Sequence, residues 1–263
     1  GLWQWCCCAA GARCWILTHK YTGDAVSLVE IDLSDNAWAY DAWDATYDSV
    51  NSNECIDRTD DNRPVVLLWN RLTNLNTVAV RDGDYGSTWT YYPLDVLLLT
   101  HVSLAVASDG TIGVAGISSS GGGLYDLYYV SNTTGSFVSE LVTADVAPAC
   151  CSLAFDSSNK PHIAVSENTV NQYLELWIKD GTWSGSDIFD SATSTHAKMA
   201  IDGNDDIWIV HTTGAALKLR KRVSSVWGDA DIYATAPATK DHSAITMKSD
   251  GVPAVAYRTS GGG

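Results

Sequence analysis

The sequence predicts an all-β fold: a six-bladed β-propeller of four-stranded antiparallel blades, with the sixth blade incomplete at two strands. Three observations predict it. A strand-rich unit recurs about every 46 to 50 residues. Each full unit holds four short runs rich in β-branched and aromatic residues, separated by Gly, Asn, Asp or Ser. No segment carries apolar residues at i, i+3, i+4 and i+7 over a dozen residues, which removes a helical solenoid.

The unit is clearest from Cys150 to Asp190, where CCSLAFD, the turn SSNK, PHIAVS, YLELWIKDG and TWSGSDIF follow one another. The next copy reads HAKMAID, DIWIVH, ALKLRKR and VWGDADIY, and the preceding one HVSLAVA, TIGVAG, LYDLYYV and SFVSELV. Two more diverged copies come first. Together they predict one propeller domain over residues 1–263, with blades at about 1–48, 49–98, 99–147, 148–193, 194–239 and a partial 240–263.

A small residue marks the middle of each first strand: Cys7, Cys55, Ala105, Ala154, Ala200 and Thr246, at steps of 48, 50, 49, 46 and 46. Innermost strands crowd near a propeller axis, so a small side chain belongs there. An aromatic opens each complete fourth strand, at Trp38, Trp89, Phe137, Trp183 and Trp227, and is expected to pack as core between blades. The sixth copy supplies DHSAITM and VPAVAY and then Gly261-Gly262-Gly263, so partner strands would be needed to complete it.

A formal net charge of −15 argues against nucleic acid and anionic membrane as partners, since both attract basic patches. No run of 18 apolar residues exists, so membrane insertion is not expected. The chain opens Gly1-Leu2-Trp3 with no visible signal segment. A secreted, cell-surface or virion-associated location is therefore an inference from fold and composition. Five of the seven cysteines sit in the runs Cys6-Cys7-Cys8 and Cys150-Cys151, whose neighbours point to opposite faces of a strand. Most are expected to be small buried hydrophobes, and no spacing suggests zinc.

Asp82-Gly83-Asp84-Tyr85-Gly86-Ser87-Thr88-Trp89 resembles the Asp-box, S-x-D-x-G-x-T-W, of sialidase-like propellers, with Asp82 in place of the usual Ser. Lys179-Asp180-Gly181-Thr182-Trp183 looks like a shortened relative. The resemblance implies a turn between third and fourth strands, closed by carboxylate-to-backbone hydrogen bonds. It does not imply activity. Sialidases hold a substrate carboxylate with three arginines, whereas Arg13, Arg58 and Arg63 fall in first-to-second-strand turns, leaving Arg71 and Arg258 alone well placed.

In propellers the loops entering first strands and leaving second strands share one face, where ligands gather at the central channel. Four residues before each small marker stand Trp3, Asn51, His101, Cys150, His196 and His242. A ring of imidazoles there would hold a divalent metal, with His101, His196 and His242 as ligands, or would move protons near neutral pH. Second-strand exits add His19, Lys20, Tyr21, Trp69, Asn70, Arg71, Glu167, Asn168, His211, Tyr257 and Arg258, residue types suited to sugars. By contrast, His162 beside Pro161 reads as packing, and Asp109, Asp202 and Asp250 read as turn formers.

Two function classes follow. The first is a module that binds a glycan or surface receptor. The second is a carbohydrate-active enzyme, more plausibly a polysaccharide lyase than a hydrolase, because only Glu167 offers a carboxylate on that face. Some lyase propellers resemble this chain in placing His near inner-strand starts. That likeness implies His196 or His242 with Tyr257 or Tyr21 as proton-transfer groups and Arg258 for a uronate carboxylate.

Overall fold

The computed structural model describes residues 5–10, 13–20, 25–34, 37–43, 46–49, 54–83, 87–98, 100–121, 124–146, 148–167, 174–189, 194–213, 216–228, 231–234 and 238–259. These form six consecutive antiparallel sheets, with strand order following chain order. The first contains Trp5–Ala10, Arg13–Lys20, Ala25–Asp32 and Ala37–Ala42. The third contains Thr100–Val106, Ile112–Gly121, Leu124–Ser131 and Val138–Val146, and the fourth Pro148–Phe155, Pro161–Glu167, Leu174–Asp180 and Thr182–Phe189. The fifth contains Ser194–Ile201, Ile207–Thr213 and Ala216–Val223, with its outer strand split into Val226–Trp227 and Asp231–Ala234. Ala238–Met247 and Pro253–Thr259 make the two-stranded sixth.

The second sheet departs from the predicted register. Its inner strand is broken into Tyr47–Ser49 and Ile56–Arg58, both paired with Pro64–Asn70, and followed outward by Leu75–Arg81 and Trp89–Pro93. Ala105, Ala154, Ala200 and Thr246 pair with Gly113, His162, Trp208 and Ala254, two residues before their turns. The corresponding residue of the second sheet is Asp57, paired with Val65, and not Cys55. The column residue four positions earlier therefore moves from Asn51 to Asn53, and both lie outside the described residues. Asp57 accepts the N–H of Arg58 at 2.9 Å and of Val106 at 2.8 Å, so a carboxylate stitches two inner strands together. Burial raises its pKa.

Five first-to-second-strand turns share one geometry. In Thr59–Arg63, Ala107–Thr111, Asp156–Lys160, Asp202–Asp206 and Lys248–Val252, the first N–H donates to the fifth carbonyl at 2.8–3.1 Å. The fourth residue donates back to the first and is left-handed: Asn62, Gly110, Asn159, Asp205 and Gly251, with φ from 60° to 86°. Asn, Asp and Gly tolerate that conformation, which explains the polar punctuation in the sequence. Asp109, Asp202 and Asp250 accept turn N–H groups at 2.9–3.1 Å, as turn formers do.

Two compact units divide the chain, one of residues 1–119 and 127–141 and one of residues 120–126 and 142–263. In the first unit, Val65 to Leu68 and Val78 to Ala79 are buried on both faces of their sheet within one apolar cluster. Arg81, 1 % exposed, pairs with Glu30 of the first sheet at 2.6 Å, and Arg13 approaches the same carboxylate at 3.5 Å. In the second unit, Leu174, Leu176, Met199 and Ile209 fill the layer between the fourth and fifth sheets. Cys150 and Cys151 are buried free thiols, as expected for small hydrophobes. Cys55 is an exception to that expectation, being disulfide-bonded to a partner outside the described side chains.

The sixth sheet lacks third and fourth strands among the described residues. The consequence is local. Tyr257 is 40 % exposed, whereas Leu68, Val165 and His211, at the same place in their second strands, are at most 1 % exposed.

Candidate functional site

The inner-strand column resolves into backbone bulges. Thr100 pairs with Ile117 and Ser103 with Ala115, leaving His101 and Val102 opposite Gly116. Thr195 pairs with Thr212 and Lys198 with Val210, leaving His196 and Ala197 opposite His211. His101 and His196 have φ of 55° and 57°, a region where His is enriched among non-glycine residues. A Cβ on Gly116, opposite the first bulge, would lie 3.0 Å from Leu98 Cδ1 and 3.2 Å from Val102 Cγ1, so those side chains would have to shift to admit one.

His101 belongs to the first unit, and Cys150, His196 and His242 to the second. The column's inter-sheet bonds are those of strands packed side by side. Cys150 Sγ donates to Ala197 O at 3.4 Å, Ser152 Oγ accepts Met199 N–H at 3.0 Å, and Ser243 Oγ donates to His196 O at 3.5 Å. Of the predicted residues, the structure brings His196 and His211 together across one bulge. His211 is buried, and desolvation, with Arg220 and Lys218 nearby, lowers its pKa to about 3. Trp69 is half-buried and packs on the first unit's core, Arg71 donates its N–H to Thr46 O at 2.8 Å, and Tyr257 is exposed. Trp3, Tyr21 and Asn168 lie outside the described residues, as do the side chains of His19, Lys20, Glu167, His242 and Arg258. Among the described residues no three His, Cys, Asp or Glu side chains gather as a metal site.

Open space lies at the other end of the strands, where turns of adjacent sheets meet. Within the first unit, a cleft of about 430 Å³ separates the second and third sheets. Its carboxylates are Asp60, Asp61, Asp82 and Asp109, its cation is Arg63, and Tyr92 and Phe137 form an aromatic wall with ring centroids 5.5 Å apart. Asp61 accepts the Thr59 hydroxyl and Arg63 Nε–H (2.7 Å), which lower its pKa. Asp82, in the Ser position of the Asp-box, accepts the Thr88 and Thr90 hydroxyls at 2.9 and 2.8 Å, and its N–H donates to Thr88 O at 2.9 Å across the turn. Asp84 to Gly86 lie outside the described residues. Trp89 of the box packs edge-on against Trp43 at 5.0 Å.

Within the second unit, a cleft of about 440 Å³ occupies the corresponding place between the fourth and fifth sheets. Ser157 ties the turns of the two sheets together, its N–H and hydroxyl each donating at 2.7 Å to an Asp205 carboxylate oxygen. Asp156 binds Ser158 N–H, Lys160 N–H and His162 Nε2, the last at 3.1 Å. Burial holds His162 below its usual pKa, opposed by Asp156 and assisted by Arg222. Lys160 pairs with Asp180 at 3.0 Å, and Lys221 with Asp206 at 2.6 Å.

Sequence reasoning drew its candidates from the opposite face and singled out none of Asp60, Asp61, Tyr92 and Arg222; Phe137 packs on the first unit's core and His162 is buried, as expected, and each also lines a cleft. The available signal was the same repeat register. It stacks the first-to-second and third-to-fourth turns of successive units beside each other, as it stacked the histidines.

No protein-family profile matches the chain, and no curated protein matches it. Solved structures do. A triple arginine variant of AofleA from Arthrobotrys oligospora aligns with 97 % of this chain and 79 % of its own, with a TM-score of 0.63 and 10 % identity. The Aleuria aurantia lectin, in complex with Fucα1-6GlcNAc, aligns with 98 % of this chain and 88 % of its own, at 0.63 and 12 %. A Bacteroides uniformis protein provisionally assigned as a 6-phosphogluconolactonase covers 95 % and 72 %, at 0.57 and 12 %. Likeness at such identity shows a shared fold: the chain is a β-propeller.

Proposed function

We propose that this propeller is a carbohydrate-binding module whose ligands enter clefts between adjacent blades. The observation that carries the reading is the Tyr92–Phe137 wall facing Asp60, Asp61, Asp82, Asp109 and Arg63 across a cleft of about 430 Å³. Sugars present an apolar ring face and a rim of hydroxyls. Tyr92 is 38 % exposed, so its ring is available for the face, while carboxylates and guanidinium take hydroxyls as acceptors and donors. The lectins of similar fold bind glycans, AAL having been solved with Fucα1-6GlcNAc. At 12 % identity that supports the fold, and the cleft chemistry supports the ligand.

An extracellular or virion-surface location fits the Cys55 disulfide, since such bonds persist in oxidising compartments. Membership of the sialidase-like branch rests on the Asp-box turn at Asp82 to Trp89. The exposed Tyr257 supports a partner strand pair completing the sixth blade.

Glycan-array binding by the wild-type chain tests the reading, with Tyr92→Ala as control. Binding to no glycan, or binding unchanged in that variant, would overturn it. Incubation with uronate polysaccharides, followed by absorbance of the unsaturated product, tests the lyase alternative.

A further inference from the structure

The cleft between the fourth and fifth blades differs in kind from its counterpart. Every carboxylate lining it is already engaged: Asp180 by Lys160, Asp206 by Lys221, Asp205 by two donors of Ser157, and Asp156 by Ser158, Lys160 and His162. The donors are not. Arg222 lines the cleft, has no ion pair among the described residues, and keeps a buried Nε–H without an acceptor. Its guanidinium lies over the Trp227 ring, 6.0 Å from the centroid. Burial alone shifts its pKa, downward, with no carboxylate opposing. A partly buried guanidinium without an ion pair carries an uncompensated desolvation cost at its buried Nε–H.

The turn beside it points the same way. Arg222 pairs with Trp227 and Val223 with Val226, so Ser224 and Ser225 form a two-residue hairpin loop. Both are left-handed, with φ of 47° and 70°, where such loops favour Asn-Gly. A non-glycine residue held there costs on the order of 1 kcal/mol or more, and such strain gathers at ligand sites. Both serines line the cleft, and a serine hydroxyl can donate to an oxygen ligand.

We propose that this second cleft binds an oxyanion of the ligand, a uronate carboxylate or a sulfate ester, through the Arg222 guanidinium and the hydroxyls of Ser224 and Ser225. The inference rests on the carbohydrate reading and names the substituent that this cleft selects. Planar guanidinium suits both groups, and hydroxyl donors complete the oxygen shell. The two clefts then divide the work: one stacks a sugar ring and the other reads an acidic group.

The test follows the Arg222 Nε–Hε resonance of the full chain during titration with methyl β-D-glucuronide, inorganic sulfate or methyl β-D-glucoside. Saturable shifts with an anion and none with the neutral glucoside are expected. Arg222→Gln and Ser224→Ala/Ser225→Ala should each weaken anion binding, the first by about tenfold or more. Response to the glucuronide alone assigns a carboxylate, to sulfate alone a sulfate ester, and to both a general oxyanion site. Equal response to the glucoside, no response to either anion, or undiminished anion binding by folded Arg222→Gln would overturn the proposal. Glycan binding that depends on Tyr92 while Arg222 stays silent sinks this inference alone. Anion binding at Arg222 without any glycan binding sinks the carbohydrate reading and leaves the oxyanion site standing.

Discussion

Ser157 and Asp205 are joined twice, N–H to Oδ1 and Oγ to Oδ2, both at 2.7 Å, across neighbouring sheets. The two donors of Ser157 lower the Asp205 pKa. A carboxylate depressed in the folded state stabilises above its unfolded pKa and loses that contribution as pH falls through the folded value. Asp205→Asn, which keeps a residue type that tolerates the left-handed turn position, should therefore cost about 1 kcal/mol at neutral pH, discounted for exposure, and the difference from wild type should shrink as pH falls through the folded Asp205 pKa. Urea midpoints at pH 7 and pH 3 check both parts.

Glu30 is the counter-charge of the buried Arg81. Glu30→Ala strands that guanidinium and should lower stability by about 3–5 kcal/mol. Replacing both residues by apolar ones of similar volume should recover most of it. Urea unfolding of the single and double variants decides between a costly orphaned charge and an intrinsically stabilising pair.

His211 is buried with its pKa lowered to about 3, so the unfolded chain binds the extra proton between that value and about 6.5. Stability must fall as pH drops through this window, by about 2 kcal/mol at pH 5 from this residue. His162, also lowered, adds in the same direction. His211→Val, which installs the residue type that Val165 supplies one blade earlier, should flatten the pH dependence of the thermal midpoint between pH 7 and pH 5.

Gly185 lets the Trp177 indole lie across its strand, since an added Cβ would meet the ring at 2.7 Å. Gly185→Ala should displace the indole from its 2.8 Å hydrogen bond to Glu175, at about 1–3 kcal/mol. Red-shifted tryptophan emission with a lower melting temperature would be the signature.

Tyr92→Ala should weaken glycan binding roughly three- to tenfold through the lost stacking surface, and Tyr92→Phe should retain it. Calorimetric titration with the strongest array ligand measures both. Equal loss in the two variants would assign the effect to the hydroxyl.

Much of the fold was legible because it is local and repeated. Alternation of β-branched residues with Asn, Asp and Gly turns writes a four-stranded unit, and left-handed Asn62, Asn159 and Asp205 stand where the turn needs them. The second blade departs from the pattern at one point. A broken inner strand puts Asp57, not Cys55, in register, and no local propensity announces that residues 50–55 fall opposite the single residue Leu67 of the partner strand. The repeat register drew attention to the histidines. The described pair, His101 and His196, owe their shared position to a left-handed bulge that side chains do not reveal in sequence.

By itself, then, the sequence determined the four-stranded unit and its turns, because each depends on contacts between neighbouring strands of one repeat. Only the tertiary structure decided which turns face each other. Tyr92 meets Phe137, and Ser157 meets Asp205 across 48 positions of sequence, through packing between sheets. Packing engages the carboxylates of the second cleft while leaving Arg222 without a counter-charge among the described residues, a difference that composition and spacing do not carry.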